Sequence, residues 1–263
     1  MLRKLFIGIG VNNFKKSGND LNGCVNDIDW MARIHEKNGF FVVKLIDQEA
    51  STAKVSELIK KSVMEKGIQK VNIHVSLHGS QVQSTDPYEP DRLDELICCW
   101  DYEDYWNDPF IDNKLAGLLK NKLPEIELNV SMDCCHSRTN TRSISKGMSA
   151  RYIPPPEEMQ PELVMKINRF GVKQVDYGPI SPTMNHVLFS ACKANQTAAD
   201  AYINGKYNGA FTWAMCTALE RMNPKVTKRE LFKELKMNVT GARFSQIPGL
   251  EGSVSLIDKS YLL

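Results

Sequence analysis

Two short stretches hold the residue types needed to break an acyl bond. Leu128-Asn129-Val130-Ser131-Met132 alternates apolar and polar residues and then delivers Asp133-Cys134-Cys135-His136-Ser137. Val71-Asn72-Ile73-His74-Val75-Ser76-Leu77 alternates in the same way and runs into His78-Gly79-Ser80. A thiolate is a strong nucleophile, and a neighbouring imidazole both lowers the thiol pKa and can later protonate a leaving amine. Gly79 leaves its backbone N–H open to an incoming carbonyl oxygen, so that the Gly79 and Cys135 N–H groups together would make an oxyanion hole. Cys134, directly beside Cys135, stands as the alternative nucleophile.

For His78 and Cys135 to meet, each must sit at the same edge of one sheet. The period-two patterns predict strands that end at these residues, and in an open α/β sheet ligands bind at that carboxyl edge. Leu5 to Ile9 reads as a first buried strand. A helix follows from Gly23 through Ile28, Met31, Ile34 and His35 and stops at Asn38-Gly39. Phe40 to Ile46 reads as a strand, and Ser51 opens a helix that runs to Gly67. The resulting βαβαβ order predicts parallel strands with right-handed crossovers. From Gly79 to Asp112 the chain is polar and acidic and reads as a loop or edge hairpin. Lys114 to Leu123 reads as a helix, His186 to Cys192 as a strand, Ala210 to Leu219 and Lys228 to Leu235 as helices, and the tail from Ser253 as a closing strand. Arg138 to Pro182, with Pro154-Pro155-Pro156 inside it, is too long for an ordinary connection and reads as a mobile, functional linker.

Composition narrows the partners. The 263 residues carry 33 basic and 31 acidic side chains, a net charge of +2, which gives no reason to expect nucleic acid or an anionic membrane. The short apolar run near the N-terminus is too brief for a secretory signal, and no later segment approaches a membrane span, so a cytoplasmic protein is expected. Seven cysteines are an odd number and include two adjacent pairs, which argues against a disulfide framework, and no paired C-x-x-C and His spacing marks a zinc site.

Ser76-Leu77-His78-Gly79-Ser80 and Asp133-Cys134-Cys135-His136-Ser137 resemble the two signature motifs of metacaspases and their prokaryotic relatives in the caspase clan of cysteine peptidases. The resemblance extends along the chain through Leu21-x-Gly23-Cys24-x-Asn26-Asp27, Asp94-Glu95-Leu96 with Asp101 and Asp112, Val187 to Cys192, and Gly209-Ala210-Phe211-Thr212. It implies an α/β, caspase-hemoglobinase-like three-layer sandwich with a mostly parallel central sheet flanked by helices. One caspase-like domain would span 1–263, with a large-subunit-like region at 1–137, the mobile linker at 138–182 and a small-subunit-like region at 183–263.

By the same resemblance Cys135 is the nucleophile, His78 its partner and Gly79 an oxyanion donor. Cys24, Asp27, Ser76 and Asp133 fall on the first-subsite pocket, whose two carboxylates suit a guanidinium bidentately or an ammonium as a point charge. The implied activity is that of a cysteine endopeptidase cutting protein or peptide substrates after Arg or Lys, and not after Asp. Arg142, Lys146, Arg151, Lys166, Arg169 and Lys173 are candidate self-cleavage sites in the linker. The alternative is a catalytically inactive scaffold that binds protein partners through the same groove. Leu77 and Arg138 stand where the family commonly has glycine, and neither removes a reacting group. The chemistry requires no cofactor. Many members bind calcium as an activator; here Asp94 and Asp112 match the ligand set, Asn113 replaces one carboxylate, and Arg142 or its neighbours fall where another would stand, so binding is expected to be weak at most. The resemblance also implies a monomer.

Overall fold

Apolar residues at alternate positions of four central segments assemble a sheet with a core on each face. The computed structural model describes residues 3–16, 18–84, 93–135, 148–159, 184–193 and 196–263. Strands β1 (Arg3–Gly10), β2 (Phe40–Ile46), β3 (Ile68–Ser76), β6 (Glu127–Asp133) and β8 (Val187–Ser190) run parallel, and β11 (Gly249–Glu251) closes one edge antiparallel, in the spatial order β11, β8, β6, β3, β1, β2. Helices α2 (Thr52–Met64) and α3 (Asp112–Lys120) cover one face, where Val55, Ile59, Leu115 and Leu119 join Ile7, Ile73 and Val130 in a single buried cluster. On the other face α1 (Cys24–Lys37), α4 (Ala210–Arg221) and α5 (Lys228–Gly241) contribute Met31, Phe211, Met215 and Leu231 to a second cluster. The expected three-layer, mostly parallel architecture is therefore present.

The alternating polar residues of β3 and β6 are buried on the face that α1 and α4 cover, within reach of His35 of α1 and Thr212 of α4. Asn72 pairs in register with Asn129, His74 with Ser131 and Ser76 with Asp133, and all six side chains are buried. Neighbours across the two strands bond one another: the Asn129 amide donates to Asn72 at 2.7 Å, and His74 Nδ1 lies 2.7 Å from the Ser131 hydroxyl. A polar track thus runs under α1 and α4 toward the carboxyl edge, and its last pair is Ser76 with Asp133.

Beyond that edge lie two smaller sheets. His78 does not end the β3 strand as expected; it opens β4 (His78–Gln83), which pairs antiparallel with β5 (Leu93–Cys98). The third sheet joins β7 (Met148–Ala150), β9 (Ala199–Ile203) and β10 (Lys206–Gly209).

Two further expectations need correction. The tail from Ser253 does not close as a strand: Gly252, at φ +144°, breaks the chain, Val254–Ile257 turns as the short helix α6, and the edge strand is the earlier Gly249–Glu251. Within the expected 138–182 linker, residues 148–159 are instead built into the fold, with β7 laid against β9 and Ile153 and Pro155 buried, and the rest of that stretch lies outside the described residues.

Candidate active site

Cys135 follows β6, and its amide is one of two donors that converge on a single oxygen. The carbonyl of Arg151 accepts from the Gly79 N–H at 3.0 Å and from the Cys135 N–H at 3.2 Å. Two backbone donors on one carbonyl is the arrangement that stabilises an oxyanion when a nucleophile adds to that carbon. The Cys135 Sγ lies 3.7 Å from the Ala198 carbonyl, which also accepts the Arg151 N–H at 3.1 Å. Arg151 is thus held by its own N–H and C=O as an extended segment crossing the site, and the preceding Met148, Ser149 and Ala150 pair antiparallel with Ala201, Asp200 and Ala199.

His78 is fixed by the Asn19 carbonyl, 2.8 Å from its Nε2. A carbonyl can only accept, so Nε2 carries the ring proton and Nδ1, which is buried and without a hydrogen bond, keeps its lone pair. Burial pushes the His78 pKa down to about 4 and the Cys135 thiol well above its ordinary range. With Arg151 covering the site, burial thus disfavours both the thiolate and the imidazolium.

The Arg151 side chain is fully buried and ends among carboxylates. Its Nη2 donates to Asp27 at 2.7 Å and to Asp200 at 3.0 Å; its Nη1 donates to the Ser76 hydroxyl at 2.8 Å and lies 3.2 Å from Asp133 Oδ2. Each acid is itself held in place. Ser76 donates to Asp27 at 2.8 Å, the Gly209 N–H donates to Asp27 at 3.0 Å, Thr212 donates to Asp133 through its N–H at 2.9 Å and its hydroxyl at 2.6 Å, and the Asn22 N–H donates to Asp200 at 2.9 Å. Burial raises the Asp27 pKa to about 7, with Arg151 opposing the shift and Asp133 adding to it. Gly209 is required by close approach: a Cβ there would lie 2.1 Å from Asp133 Oδ2 and 2.4 Å from Arg151 Nη1.

Of the residues singled out from sequence, His78, Gly79 and Cys135 lie at one edge, and Asp27, Ser76 and Asp133 surround one guanidinium. Cys24 opens α1, fully buried beside Ser76. Asp200, the Ala198 carbonyl, Thr212 and the Asn19 carbonyl were not anticipated as parts of the site. Asp200 alone offered a signal, being a single acid in the small-residue run Ala198 to Ala201. His136 and Ser137 of the second motif, the acidic Asp86, Glu89 and Asp91, and Arg138, Arg142, Lys146, Lys166, Arg169 and Lys173 lie outside the described residues. Asp94 lies on β5, and Asp112 and Asn113 open α3; among the described residues no three His, Cys, Asp or Glu side chains converge as a metal site.

The caspase-domain family profile matches residues 3–259. This chain belongs to the caspase-domain family of cysteine endopeptidases. The caspase domain is 23% identical to Metacaspase-1 of Kluyveromyces lactis, over 95% of this chain and 66% of that protein, and 25% identical to Metacaspase-1B of Aspergillus oryzae, over 95% of this chain and 67% of that one. Metacaspase-1B of Aspergillus niger is 26% identical over 95% of this chain and 64% of its own length, so the chain spans about two thirds of these relatives. A crystal structure of a protein from Geobacter sulfurreducens superposes with a TM-score of 0.71 at 24% identity, over 99% of this chain and 98% of that one, and shares the caspase fold. No helix among the described residues is long and apolar enough to cross a membrane.

Proposed function

We propose that this caspase domain cleaves polypeptides after arginine, and less readily after lysine, and that it cuts its own chain between Arg151 and Tyr152. The observation that carries the reading is the placement of Arg151, with its carbonyl on the Gly79 and Cys135 amides and its guanidinium among Asp27, Asp133 and Asp200. The chain's own segment is bound as a substrate would be. A planar fork reaches several acceptors at once, whereas an ammonium is a single point charge, so arginine is favoured over lysine. An aspartate would meet like charge in the same pocket.

In this reading His78 Nδ1 takes the Cys135 thiol proton as sulfur adds to the Arg151 carbonyl carbon, and the oxygen gains negative charge on the two amides. The C–N bond to Tyr152 then breaks, the new amine takes the proton from His78, and water hydrolyses the thioester to a carboxylate and restores the thiol. Asn19 keeps the imidazole in the tautomer that can accept the first proton.

Incubation of the purified wild-type chain and Cys135→Ala, followed by intact-mass analysis, tests the self-cleavage. Fragments 1–151 and 152–263 are expected from the wild type alone. A panel of fluorogenic peptides ending in Arg, Lys or Asp tests specificity. Hydrolysis after Asp, or identical fragmentation of both proteins, would overturn the reading.

A further inference from the structure

The residues after the Arg151–Tyr152 bond are held as firmly as those before it. Tyr152 forms a parallel bridge with Gly79, and the Ile153 N–H donates to the Gly79 carbonyl at 3.0 Å. The Ser80 hydroxyl, itself fully buried, donates to the Ile153 carbonyl at 2.5 Å. Gly79 therefore touches both sides of the bond: its N–H holds the carbonyl to be attacked, and its C=O holds the amide two residues on. The Ile153 side chain is 4% exposed and belongs to the same buried apolar cluster as Val82, Leu96 and Ile97 of the β4–β5 hairpin.

From this we infer that the Gly79–Ser80 edge of β4 is a subsite on the leaving-group side, which takes an extended polypeptide with a bulky aliphatic residue two positions after the cleaved bond. The inference rests on the arginine reading above and adds a second determinant to it. The preferred sequence is Arg, any residue, then Ile, Leu or Val. Main-chain hydrogen bonds to Gly79 and Ser80 accept any sequence, while the buried apolar position supplies the selection. An acidic side chain there would be buried without a partner. Because the contact is made on the part that leaves, it aligns the amide for protonation and is lost on short reporters that carry a dye in place of that part.

The test uses internally quenched peptides built on Met-Ser-Ala-Arg-Tyr-Ile-Pro, with Ile replaced by Leu, Val, Gly or Asp, and the wild-type enzyme after it has processed itself. Any competition from the enzyme's own docked segment is common to all peptides and cancels in their ratio. Ile, Leu and Val peptides are expected to agree within about threefold in kcat/KM, with Gly and Asp at least about tenfold lower, on the scale of burying one aliphatic side chain. Equal kcat/KM across the series would overturn the subsite, as would hydrolysis of a short Met-Ser-Ala-Arg reporter with no hydrolysis of any longer peptide. Silence on the short reporter as well would instead refute the arginine reading. In the intact chain, Ile153→Asp should slow scission after Arg151 by a similar factor while Ile153→Leu does not.

Discussion

Replacing Arg151 in a chain that cannot cut itself isolates what the guanidinium does for the fold. In a Cys135→Ala background the bond stays intact, and adding Arg151→Ala strips the cation from Asp27, Asp133 and Asp200, each no more than 1% exposed. Removing one partner of a buried ion pair leaves uncompensated charge and costs about 3–5 kcal/mol. For a domain of this size about 1 kcal/mol moves the melting temperature by ~2–4 °C, so a loss of roughly 10 °C is expected at pH 8. The loss should shrink on acidification. Burial holds the Asp27 pKa up at about 7 even with Arg151 present, and removing the cation can only raise it. A carboxylate raised above its unfolded value contributes stability below that unfolded value and loses it as pH rises through the folded pKa, so the deficit is smallest near pH 5 and largest near pH 8. Thermal melts of the two proteins at both pH values measure this, and benzamidinium, as a free cation for the pocket, should restore part of the lost stability in the double variant by mass action. Melting within about 2 °C of the parent at pH 8, with no response to benzamidinium, would refute the placement of the guanidinium among buried acids.

Other changes probe the same site by different routes. Asp200→Asn should lower kcat/KM for Arg-terminated peptides by about 30-fold or more, in the range for truncating a buried charge pair, and should narrow the Arg-to-Lys preference; steady-state kinetics on both substrates decide. Gly209→Ala should leave the far-UV circular dichroism spectrum unchanged, because the backbone there, at φ −68° and ψ 135°, admits alanine, while hydrolysis after Arg falls at least about 100-fold as the methyl displaces Asp133. Burial lowers the pKa of both His35 and His74 to about 3, so each stays neutral in the fold down to that pH but is protonated below about 6.5 in the unfolded chain. Their contribution is present above 6.5 and falls with pH by about 1.4 kcal/mol per unit for each, so urea-derived stability should drop steeply between pH 6 and 4 and His74→Asn should flatten the slope.

Strands and helices were legible wherever a local signal ended them. Asn38-Gly39 stops α1 because Gly39 takes φ +77°, whereas α2 stops at Met64, three residues before the expected Gly67, which at φ +81° turns the chain into β3. The tail misled because Gly252 and Ser253 redirect a stretch whose composition alone reads as extended. The polar alternation of Leu128 to Met132 announced a strand but not its surroundings: β3 carries polar residues at the matching positions, and the two rows stand side by side beneath α1 and α4, bonded to each other and to His35 and Thr212. In the site, the signature motifs pointed to His78, Cys135, Asp27 and Asp133. Choosing Arg151 from six basic candidates was beyond local reading, because its pairing partners Ala198 to Ala201 lie far along the chain and nothing near Arg151 marks it. Asp200 was missed for the same reason, since its partner was the residue that could not be chosen.

The division of the site between chain segments has a consequence for the nicked molecule. Asp27, Ser76, His78, Asp133 and Cys135 precede the Arg151–Tyr152 bond, while Ala198, Asp200, Gly209 and Thr212 follow it. A cut there leaves neither piece with a complete pocket, and β6 remains zipped to β8 by the register Asn129 to Met132 against Val187 to Ser190, deep in the central sheet. The product would be an obligate two-chain complex: its halves are complementary, each meaningless as an enzyme alone, and their dissociation is equivalent to unfolding.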